Sequence, residues 1–305
     1  MKYTVQETTI LHRSSISPED FFLLLCFVSR KPKEYLIAHP EHRLSEHAYR
    51  KLSALVQRRI NHEPIAFITG HKEFYGFDFL VNRSTLIPRP ETESLIESAI
   101  KDILEHISPH SSSQYISEKP IIFIDVGTGS GNILLSILKT LEKETLLPKL
   151  SCFGLDTSEE AIILAKKNAR RLRPFTRARF VQSDLLQALP TNTFRRAAHA
   201  YIFANLPYLS EKIYQACPPD VKDYEPASAL TSMALGCAHI EKLLREIAIL
   251  HTALRKLPFD IWLEISPEQK RILTKKIRSL FPESQLEFQK DLSQKYRFVH
   301  IMLRT

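Results

Sequence analysis

Glycine is scarce in this sequence, with seven residues in 305, and there are only four cysteines and one tryptophan. The cysteines, Cys26, Cys152, Cys217 and Cys237, form no C-x-x-C pair, which argues against the common zinc sites and redox motifs. Each lies among apolar or ordinary residues. We therefore predict reduced thiols, no metal site and a cytoplasmic location.

Long apolar runs and several familiar catalytic motifs are also missing. No stretch of 18 apolar residues occurs, so we expect no transmembrane helix and no membrane partner. Charged residues such as Glu7, Arg13 and Glu19 interrupt the first twenty positions, which does not fit a signal peptide. The sequence contains no H-E-x-x-H, G-x-S-x-G or G-x-x-x-x-G-K-[ST] motif, which argues against the corresponding proteases, hydrolases and nucleotidases.

Positive charge is in moderate excess, with 42 Lys and Arg against 34 Asp and Glu and a formal net charge of +8. No block of five consecutive basic residues occurs, and the densest clusters, at 166–173 and 270–278, lie on predicted helices. Solvated helix faces account for such clusters. The charge is compatible with a phosphate-rich partner but does not require one.

The first eighty residues carry two helical patterns and then a hairpin pattern. Ser17 before Pro18 has the form of an N-cap followed by proline at the first helical position. A second helix is predicted at 45–60 from apolar residues at a spacing of three to four. A β-hairpin with Gly76 at its turn is predicted over 74–81.

These patterns divide the chain into three parts. We predict a helical substrate-recognition domain at 1–65, a β-hairpin linker at 66–92 and a catalytic domain at 93–305. Within the last part, the serine-rich stretch at 107–119 is predicted to be a polar linker.

Three of the seven glycines lie within five residues, directly after the apolar run at 120–124. Their G-x-G-x-G spacing differs from the G-x-G-x-x-G of dinucleotide-binding folds. Glycine lets the backbone approach a ligand closely before a helix begins, so this loop predicts a site for a cofactor without a pyrophosphate. The loop residues assigned to the cofactor are Gly127, Thr128, Gly129, Ser130 and Gly131.

Acidic residues end the two predicted strands that follow. Asp156 lies 25 residues after Gly131, at a position where an acid can bind ribose hydroxyls. Asp184 ends the next strand and is assigned to an adenine amine, with Leu185 against the ring. A helix cap or a turn explains each acid taken singly. Together with Asp125, which ends the preceding predicted strand, Asp156 and Asp184 show that three successive strands end in aspartate, and this favours a nucleotide site.

The next predicted strand ends in the segment Asn205-Leu206-Pro207-Tyr208. Proline cannot extend a central strand, so the strand stops here, at the edge of the sheet where ligands bind. An asparagine, outward carbonyl groups and an aromatic ring suit a flat substrate that carries an NH2 group. We assign Asn205 and Tyr208 to catalysis and all four residues to substrate binding; a simple strand-ending turn is the alternative.

The order of elements predicts the fold class. Strands alternate with helices from residue 120 onward, and two strands close the chain. This order indicates an α/β protein with a doubly wound sheet that has an antiparallel edge strand.

On these motifs the chain resembles the PrmC/HemK protein-(glutamine-N5) methyltransferases over about residues 15–305. The most specific feature is the Pro-Arg-Pro-Glu-Thr-Glu segment beside a D-x-G-T-G-S-G loop. The segments that carry the resemblance are 63–70, 74–77, 86–93, 125–131, 156, 183–184, 205–208 and 224–226.

The resemblance implies a class I S-adenosylmethionine-dependent methyltransferase with a Rossmann-like, doubly wound, seven-stranded sheet and a small N-terminal helical domain. It implies transfer of a methyl group from S-adenosyl-L-methionine to the N5 amide nitrogen of the glutamine in the Gly-Gly-Gln motif of class I peptide-chain release factors. The implied partner is a release factor, with no direct nucleic-acid binding. Pro90, Glu91, Thr92 and Asn205 are then expected to contact the cofactor.

Two departures from the family pattern keep alternatives open. Leu206 replaces the usual proline of Asn-Pro-Pro-Tyr, and the Asn-Leu-Pro-Tyr form also occurs in rRNA adenine dimethyltransferases. The segment 230–236 replaces a Gly-Gly-rich stretch of the family. A nucleic-acid adenine N6-methyltransferase and a non-catalytic S-adenosylmethionine-binding scaffold are therefore the two alternative functions.

Overall fold

The structure is a computed structural model that describes residues 3–12, 14–107, 119–142, 149–254, 257–291 and 293–304. The predicted linker at 107–119 lies almost entirely outside these residues. The chain forms two compact units. The first comprises Met1–His71, Val81–Arg83 and Pro218–Tyr224, and the second comprises Lys72–Leu80, Ser84–Cys217 and Glu225–Thr305.

Helices and strands alternate through most of the described chain. The helices are α1 (Val5–His12), α2 (Pro18–Ser29), α3 (Lys33–Ala38), α4 (Glu46–Ile60), α5 (Ile65–Thr69), α6 (Glu91–Ile107), α7 (Asn132–Leu141), α8 (Glu159–Leu172), α9 (Thr191–Arg195), α10 (Glu211–Gln215), α11 (Pro219–Lys222), α12 (Ala238–Ala253) and α13 (Lys270–Leu280). The strands are β1 (His71–Phe74), β2 (Phe77–Leu80), β3 (Ile121–Val126), β4 (Leu150–Asp156), β5 (Ala178–Gln182), β6 (His199–Ala204), β7 (Phe259–Glu264), β8 (Gln285–Lys290) and β9 (Tyr296–Leu303).

The first unit is helical and begins its helices where the sequence predicts. The Ser17 hydroxyl accepts a hydrogen bond from the Asp20 N–H at 3.1 Å and caps α2. Ser45 caps α4 in the same way through the Ala48 N–H. Apolar side chains from both helices form the core of this unit, so both helix predictions are confirmed.

The predicted hairpin is also present, although its first strand begins earlier, at His71. Tyr75 and Gly76 connect β1 to β2 with φ angles of 53° and 74°. Two successive residues in the left-handed region form the tight turn that matches the twist of paired strands.

The second unit is built around a seven-stranded sheet in the order β5-β4-β3-β6-β7-β9-β8. Strands β3 to β7 pair in parallel, while β9 pairs antiparallel with β7 and with β8. The doubly wound sheet is therefore confirmed, with its antiparallel pairing at the β8 edge. The order reverses between β3 and β6, and this switch point is where such sheets bind ligands.

Helices cover both faces of the sheet. One buried cluster joins β3, β6 and β7 to α12 and α13, and the other joins the opposite face to α6, α7 and α8. Because both faces are buried, the inner strands read as continuous apolar runs. All six residues of β3 and all six of β6 are buried.

Strand register places the ends of five strands side by side. One row across the sheet contains Val181, Leu155, Val126, Ala204 and Leu263. The residues that directly follow this row are Gln182, Asp156, Gly127, Asn205 and Glu264. Neighbouring strands lie about 4.8 Å apart, so polar residues on adjacent strands of this second row are within reach of one another.

Helix α8 begins one residue later than its local sequence pattern indicates. Thr157-x-x-Glu160 has the form of a capping box, but the N-cap is Ser158, whose hydroxyl accepts from the Ala161 N–H at 3.1 Å. The Asp156 carboxylate accepts the Ser158 N–H, and this contact moves the start of the helix by one position.

A buried ionic cluster lies at the opposite end of β7. The Asp260 carboxylate is fully buried and accepts hydrogen bonds from His199 at 2.6 Å, His300 at 2.7 Å and Arg304 at 2.6 Å. Burial opposes ionisation, but these donors hold the pKa of Asp260 well below its usual range. The cluster ties β6, β7 and β9 together.

We expect Asp260→Asn to lower the free energy of unfolding by about 3–5 kcal/mol, because it removes the buried carboxylate that accepts hydrogen bonds from His199, His300 and Arg304. Urea unfolding at pH 7 measures this change. Because the pKa of Asp260 is depressed, the stability that it contributes is present above its unfolded pKa and is lost only as the pH falls below that value. The exposed Glu283→Gln is the control; an equal effect of both variants would contradict the role of the cluster.

Candidate active site

A cavity of about 470 Å³ opens at the carboxyl ends of the parallel strands. This volume lies within the range of ligand sites in proteins. The residues that the sequence predicts for a ligand and that line this cavity are Thr92, Gly127, Thr128, Gly129, Ser130, Asp156, Asp184, Leu185, Asn205, Leu206 and Pro207. Pro90, Glu91, Gly131 and Tyr208 do not line it among the described residues.

The glycine loop is folded by contacts with neighbouring strands. The N–H groups of Gly127 and Thr128 both donate to the Leu155 carbonyl at 2.8 Å. The Thr128 hydroxyl donates to the buried Asp125 carboxylate at 2.6 Å. Burial raises the pKa of Asp125 to about 7, against the opposing effect of this hydrogen bond. These bonds support the loop from the protein side.

Leu206 occupies a position that explains the need for glycine at 127. A Cβ built on Gly127 would lie 3.0 Å from the Leu206 side chain, and the Gly127 φ of 72° also favours glycine. Leu206 is buried and lines the cavity. The residue that departs from the family pattern therefore packs directly against the glycine loop.

Asp156 connects the loop to the end of β4. Its Oδ2 atom accepts the Gly129 N–H at 2.9 Å, and its Oδ1 atom accepts the Ser158 N–H at 2.9 Å. Burial raises the pKa of Asp156 above its usual value, although these bonds oppose the shift. A Cβ on Gly129 would meet no atom closer than 3.9 Å, so the loop leaves open space here.

Gly131 serves the packing of the loop. It caps α7 with a φ of 81°, and a Cβ there would lie 3.0 Å from Leu135 and 3.4 Å from Ala165. The buried Asn168 amide donates to the Ser130 carbonyl at 2.9 Å and pairs with the backbone of Leu80. The loop is thus anchored to α8 and to the hairpin.

Asp184 and Leu185 lie together at the end of β5. Leu185 is buried and has a φ of 52°, and its carbonyl accepts the Ser183 hydroxyl at 2.7 Å. The Asp184 carboxylate is half-exposed and forms an ion pair with Lys242 of α12. Lys242 also lines the cavity, and no motif in the sequence points to it.

A buried carboxylate, Glu264, joins several of the predicted residues. It accepts hydrogen bonds from the Thr92 hydroxyl at 2.6 Å, the Asn205 Nδ2 atom at 2.9 Å and the Tyr208 hydroxyl at 3.2 Å. Burial raises the pKa of Glu264 to about 7. Burial and the nearby Glu264 charge raise the pKa of Tyr208.

The sequence interpretation missed Glu264. It is the last residue of β7, an acid at the end of the apolar run that begins at Phe259. The rule that selected Asp156 and Asp184, a polar residue at the carboxyl end of a predicted strand, would have selected Glu264 as well.

The proline-rich segment is held by an ion pair that links two motifs distant in sequence. Arg89 donates to the buried Glu225 carboxylate at 2.5 Å, and the Ile87 N–H donates to its other oxygen at 3.0 Å. Arg89 lines the cavity, whereas Pro90 and Glu91 are exposed at the start of α6.

The segment 230–236 closes against Tyr208. The Leu209 N–H donates to the Leu230 carbonyl, and the Ser232 N–H donates back to the Leu209 carbonyl, both at 2.9 Å. Gly236 has a φ of 84°, and a Cβ there would lie 2.0 Å from the Tyr208 carbonyl oxygen. Glycine is therefore required at 236 by both conformation and space.

In the described part of the chain, no helix combines the length with the apolar composition that a membrane span requires.

Known proteins similar to this chain include methyltransferases. The PrmC N-terminal domain family matches residues 9–70, and the methyltransferase domain family matches residues 117–281. The release factor glutamine methyltransferase of Koribacter versatilis is 36% identical over 226 residues, which cover 74% of this chain and 72% of the relative. That of Nitratidesulfovibrio vulgaris is 35% identical, covering 73% of this chain and 68% of the relative.

Solved structures agree on the fold. The hMettl16 catalytic domain, solved in complex with the MAT2A 3′UTR hairpin 1, superposes with a TM-score of 0.52 at 13% identity. The match covers 94% of this chain and 92% of that one. At this identity the likeness shows the fold alone.

We expect Gly236→Ala to destabilise the protein by about 2–5 kcal/mol, because a left-handed conformation and steric overlap with Tyr208 both oppose a Cβ. Gly76→Ala is a matched control with a φ of 74° and no atom within 4 Å of its Cβ, so it should cost only about 1–2 kcal/mol. Thermal unfolding compares the two variants. Equal shifts in Tm would show that the contact with Tyr208 is not tight.

Proposed function

Because this chain belongs to the release factor glutamine methyltransferase family, we propose that it methylates the N5 amide nitrogen of the glutamine in the Gly-Gly-Gln motif of class I peptide-chain release factors. The methyl donor is S-adenosyl-L-methionine. The observation that carries the proposal is the single cavity lined by both the glycine loop and the Asn205-Leu206-Pro207 segment.

The residues of the cavity fit this cofactor. Asp156 offers carboxylate oxygens to ribose hydroxyls, and Asp184 offers an acceptor to the adenine amine. Leu185 provides an apolar surface for the ring. Gly127 and Gly129 line the cavity, and a Cβ on Gly129 would meet no atom closer than 3.9 Å, so the loop backbone can approach the amino-acid and ribose parts.

When bound, S-adenosyl-L-methionine supplies an electrophilic methyl group. A carboxamide nitrogen is a weak nucleophile because its lone pair is delocalised into the carbonyl group. We propose that the Asn205 Oδ1 atom and the Leu206 carbonyl oxygen accept the two N–H groups of the substrate glutamine. These bonds hold the nitrogen with its lone pair toward the methyl group.

Orientation is then the main contribution of this site to catalysis. Well-oriented groups can lower a barrier by about 7–11 kcal/mol. Pro207 stiffens the turn that presents these acceptors, and the Tyr208 ring is proposed to stack on the substrate amide. The excess proton can leave after transfer, so no general base is required before it.

The remaining assignments concern recognition. We propose that the helical unit, which contains residues 9–70 matched by the PrmC N-terminal domain family, helps to bind the release factor. Pro90 and Glu91 are proposed to contact the bound cofactor from the start of α6. None of the four cysteines forms a disulfide among the described residues, and we propose a reducing cytoplasm as the site of the reaction.

We expect Asp156→Ala to weaken S-adenosylhomocysteine binding about 10- to 100-fold, because hydrogen bonds to a charged group contribute about 1.5–3 kcal/mol. Isothermal titration calorimetry measures the Kd. The exposed Glu159→Ala, three residues along the chain, is the control. Unchanged affinity in Asp156→Ala would exclude Asp156 as a cofactor ligand.

The test of function is methyl transfer from labelled S-adenosylmethionine to a purified release factor. Label is expected on the wild-type factor and not on a factor whose Gly-Gly-Gln glutamine is replaced by alanine. Asn205→Ala should lose turnover while it still binds S-adenosylhomocysteine. Total RNA is a parallel substrate, and label on RNA alone would overturn the proposal in favour of nucleic-acid methylation. Cofactor binding without transfer to either substrate would indicate a scaffold.

A further inference from the structure

Three side chains from two segments donate hydrogen bonds to one buried carboxylate, that of Glu264. Thr92 comes from the first turn of α6, Asn205 follows β6, and Tyr208 lies three residues further on. The side chain of Glu264 is 2% exposed. An ionised carboxylate only accepts hydrogen bonds, so a donor is the group that it needs at each of these three contacts.

This contact determines which end of the Asn205 amide points toward Glu264. If the amide were rotated by half a turn, its Oδ1 atom would take the place of Nδ2, 2.9 Å from a carboxylate oxygen. Two acceptors at that distance repel each other. The ionised carboxylate therefore holds Nδ2 and leaves the Asn205 oxygen for a ligand in the cavity that Asn205 lines.

The amide orientation matters because the two ends have opposite chemistry. An Oδ1 atom accepts an N–H of a substrate carboxamide, whereas an Nδ2 group in its place would face those N–H groups with donors of its own. A protonated Glu264 can donate to Oδ1 and so permits the rotated amide as well. The charge on Glu264 thus selects the productive orientation of Asn205.

We propose that Glu264 is a positioning residue for methyl transfer, which fixes the Asn205 amide with its oxygen toward the substrate nitrogen. This inference rests on the proposed function, because it assigns a role to Asn205 in binding the glutamine amide. Glu264 itself contacts Asn205, Thr92 and Tyr208.

Burial of this carboxylate opposes its ionisation. Burial raises the pKa of Glu264 to about 7 from 4.5. Because the folded pKa of Glu264 is higher than its unfolded pKa, the free energy of unfolding is greatest below the unfolded value of 4.5. It falls as the pH rises from that value through the folded pKa of about 7. Near pH 8 the folded protein therefore holds an unfavourable buried charge.

The charges around Glu264 act in opposite directions. The guanidinium of Arg297, on β9, favours the ionised form, and Glu91, on α6, disfavours it. The Tyr208 hydroxyl donates to the Glu264 carboxylate, and burial raises the pKa of Tyr208. This phenol therefore stays protonated near neutral pH, where Glu264 titrates.

The experiment compares wild type with Glu264→Gln in methyl transfer to a release factor between pH 6 and 8.5. Glutamine keeps the shape but presents one oxygen and one NH2 group, so it does not select one Asn205 orientation. We expect kcat to fall about 10- to 100-fold, the effect of a misplaced substrate, with little change in the Kd for S-adenosylhomocysteine. The wild-type kcat should rise with pH through about 7, and this rise should be absent in the variant.

Stability is the second readout, with Asp260→Asn as the matched control at the other end of β7. Glu264→Gln should have a Tm at pH 8 that is no lower than that of wild type. Asp260→Asn should lose stability and keep the wild-type kcat under conditions where it is folded. Opposite responses from two buried acids of one strand separate positioning from structural support.

The outcomes distinguish this inference from the proposed function. If wild type methylates the release factor and Glu264→Gln retains its kcat and its rise with pH, the positioning role is overturned. If wild type itself transfers no methyl group, the proposed function fails instead. Asp125 also has a pKa near 7, so only a rise that disappears in Glu264→Gln supports the inference. If Glu264→Gln does not fold, the wild-type protein alone still tests the inference: a kcat that does not change with pH between 6 and 8.5 overturns the positioning role.

Discussion

Parallel pairing of β3 to β7 is the constraint on which the site depends. Register aligns five strands so that Asp156, Gly127, Asn205 and Glu264 follow one row of the sheet. Residues far apart in the sequence, such as Asn205 and Glu264, become neighbours because adjacent strands lie about 4.8 Å apart. A shift of one residue in any strand would turn these side chains toward the helices that cover the sheet.

The two ends of β7 show how environment decides the role of a buried acid. Asp260 is surrounded by donors that neutralise it, so its charge stabilises the sheet. In the part of the chain that the structure describes, the donors to Glu264 are the neutral side chains of Thr92, Asn205 and Tyr208, and burial raises its pKa. An acid held in an unfavourable state beside a ligand cavity is typical of a functional site.

The cavity walls are anchored from the protein side before any ligand binds. The Leu155 carbonyl and Asp156 hold the glycine loop, Asn168 ties it to α8, and Glu225 holds the proline-rich segment through Arg89. Such preorganisation lowers the cost of ordering groups around a substrate whose chemistry depends on orientation.

The alternation of strands and helices after residue 120, the glycine loop, and the acids and asparagine at the strand ends could all be predicted from the sequence. These signals are local, since each depends on apolar periodicity or on the residue that ends a strand. Tertiary structure alone decided which of these residues share the cavity, because register and chain crossings set those distances. It placed Gly131 in packing, joined Arg89 to Glu225 and placed Glu264 against Asn205, contacts between residues up to 136 positions apart that no local pattern encodes.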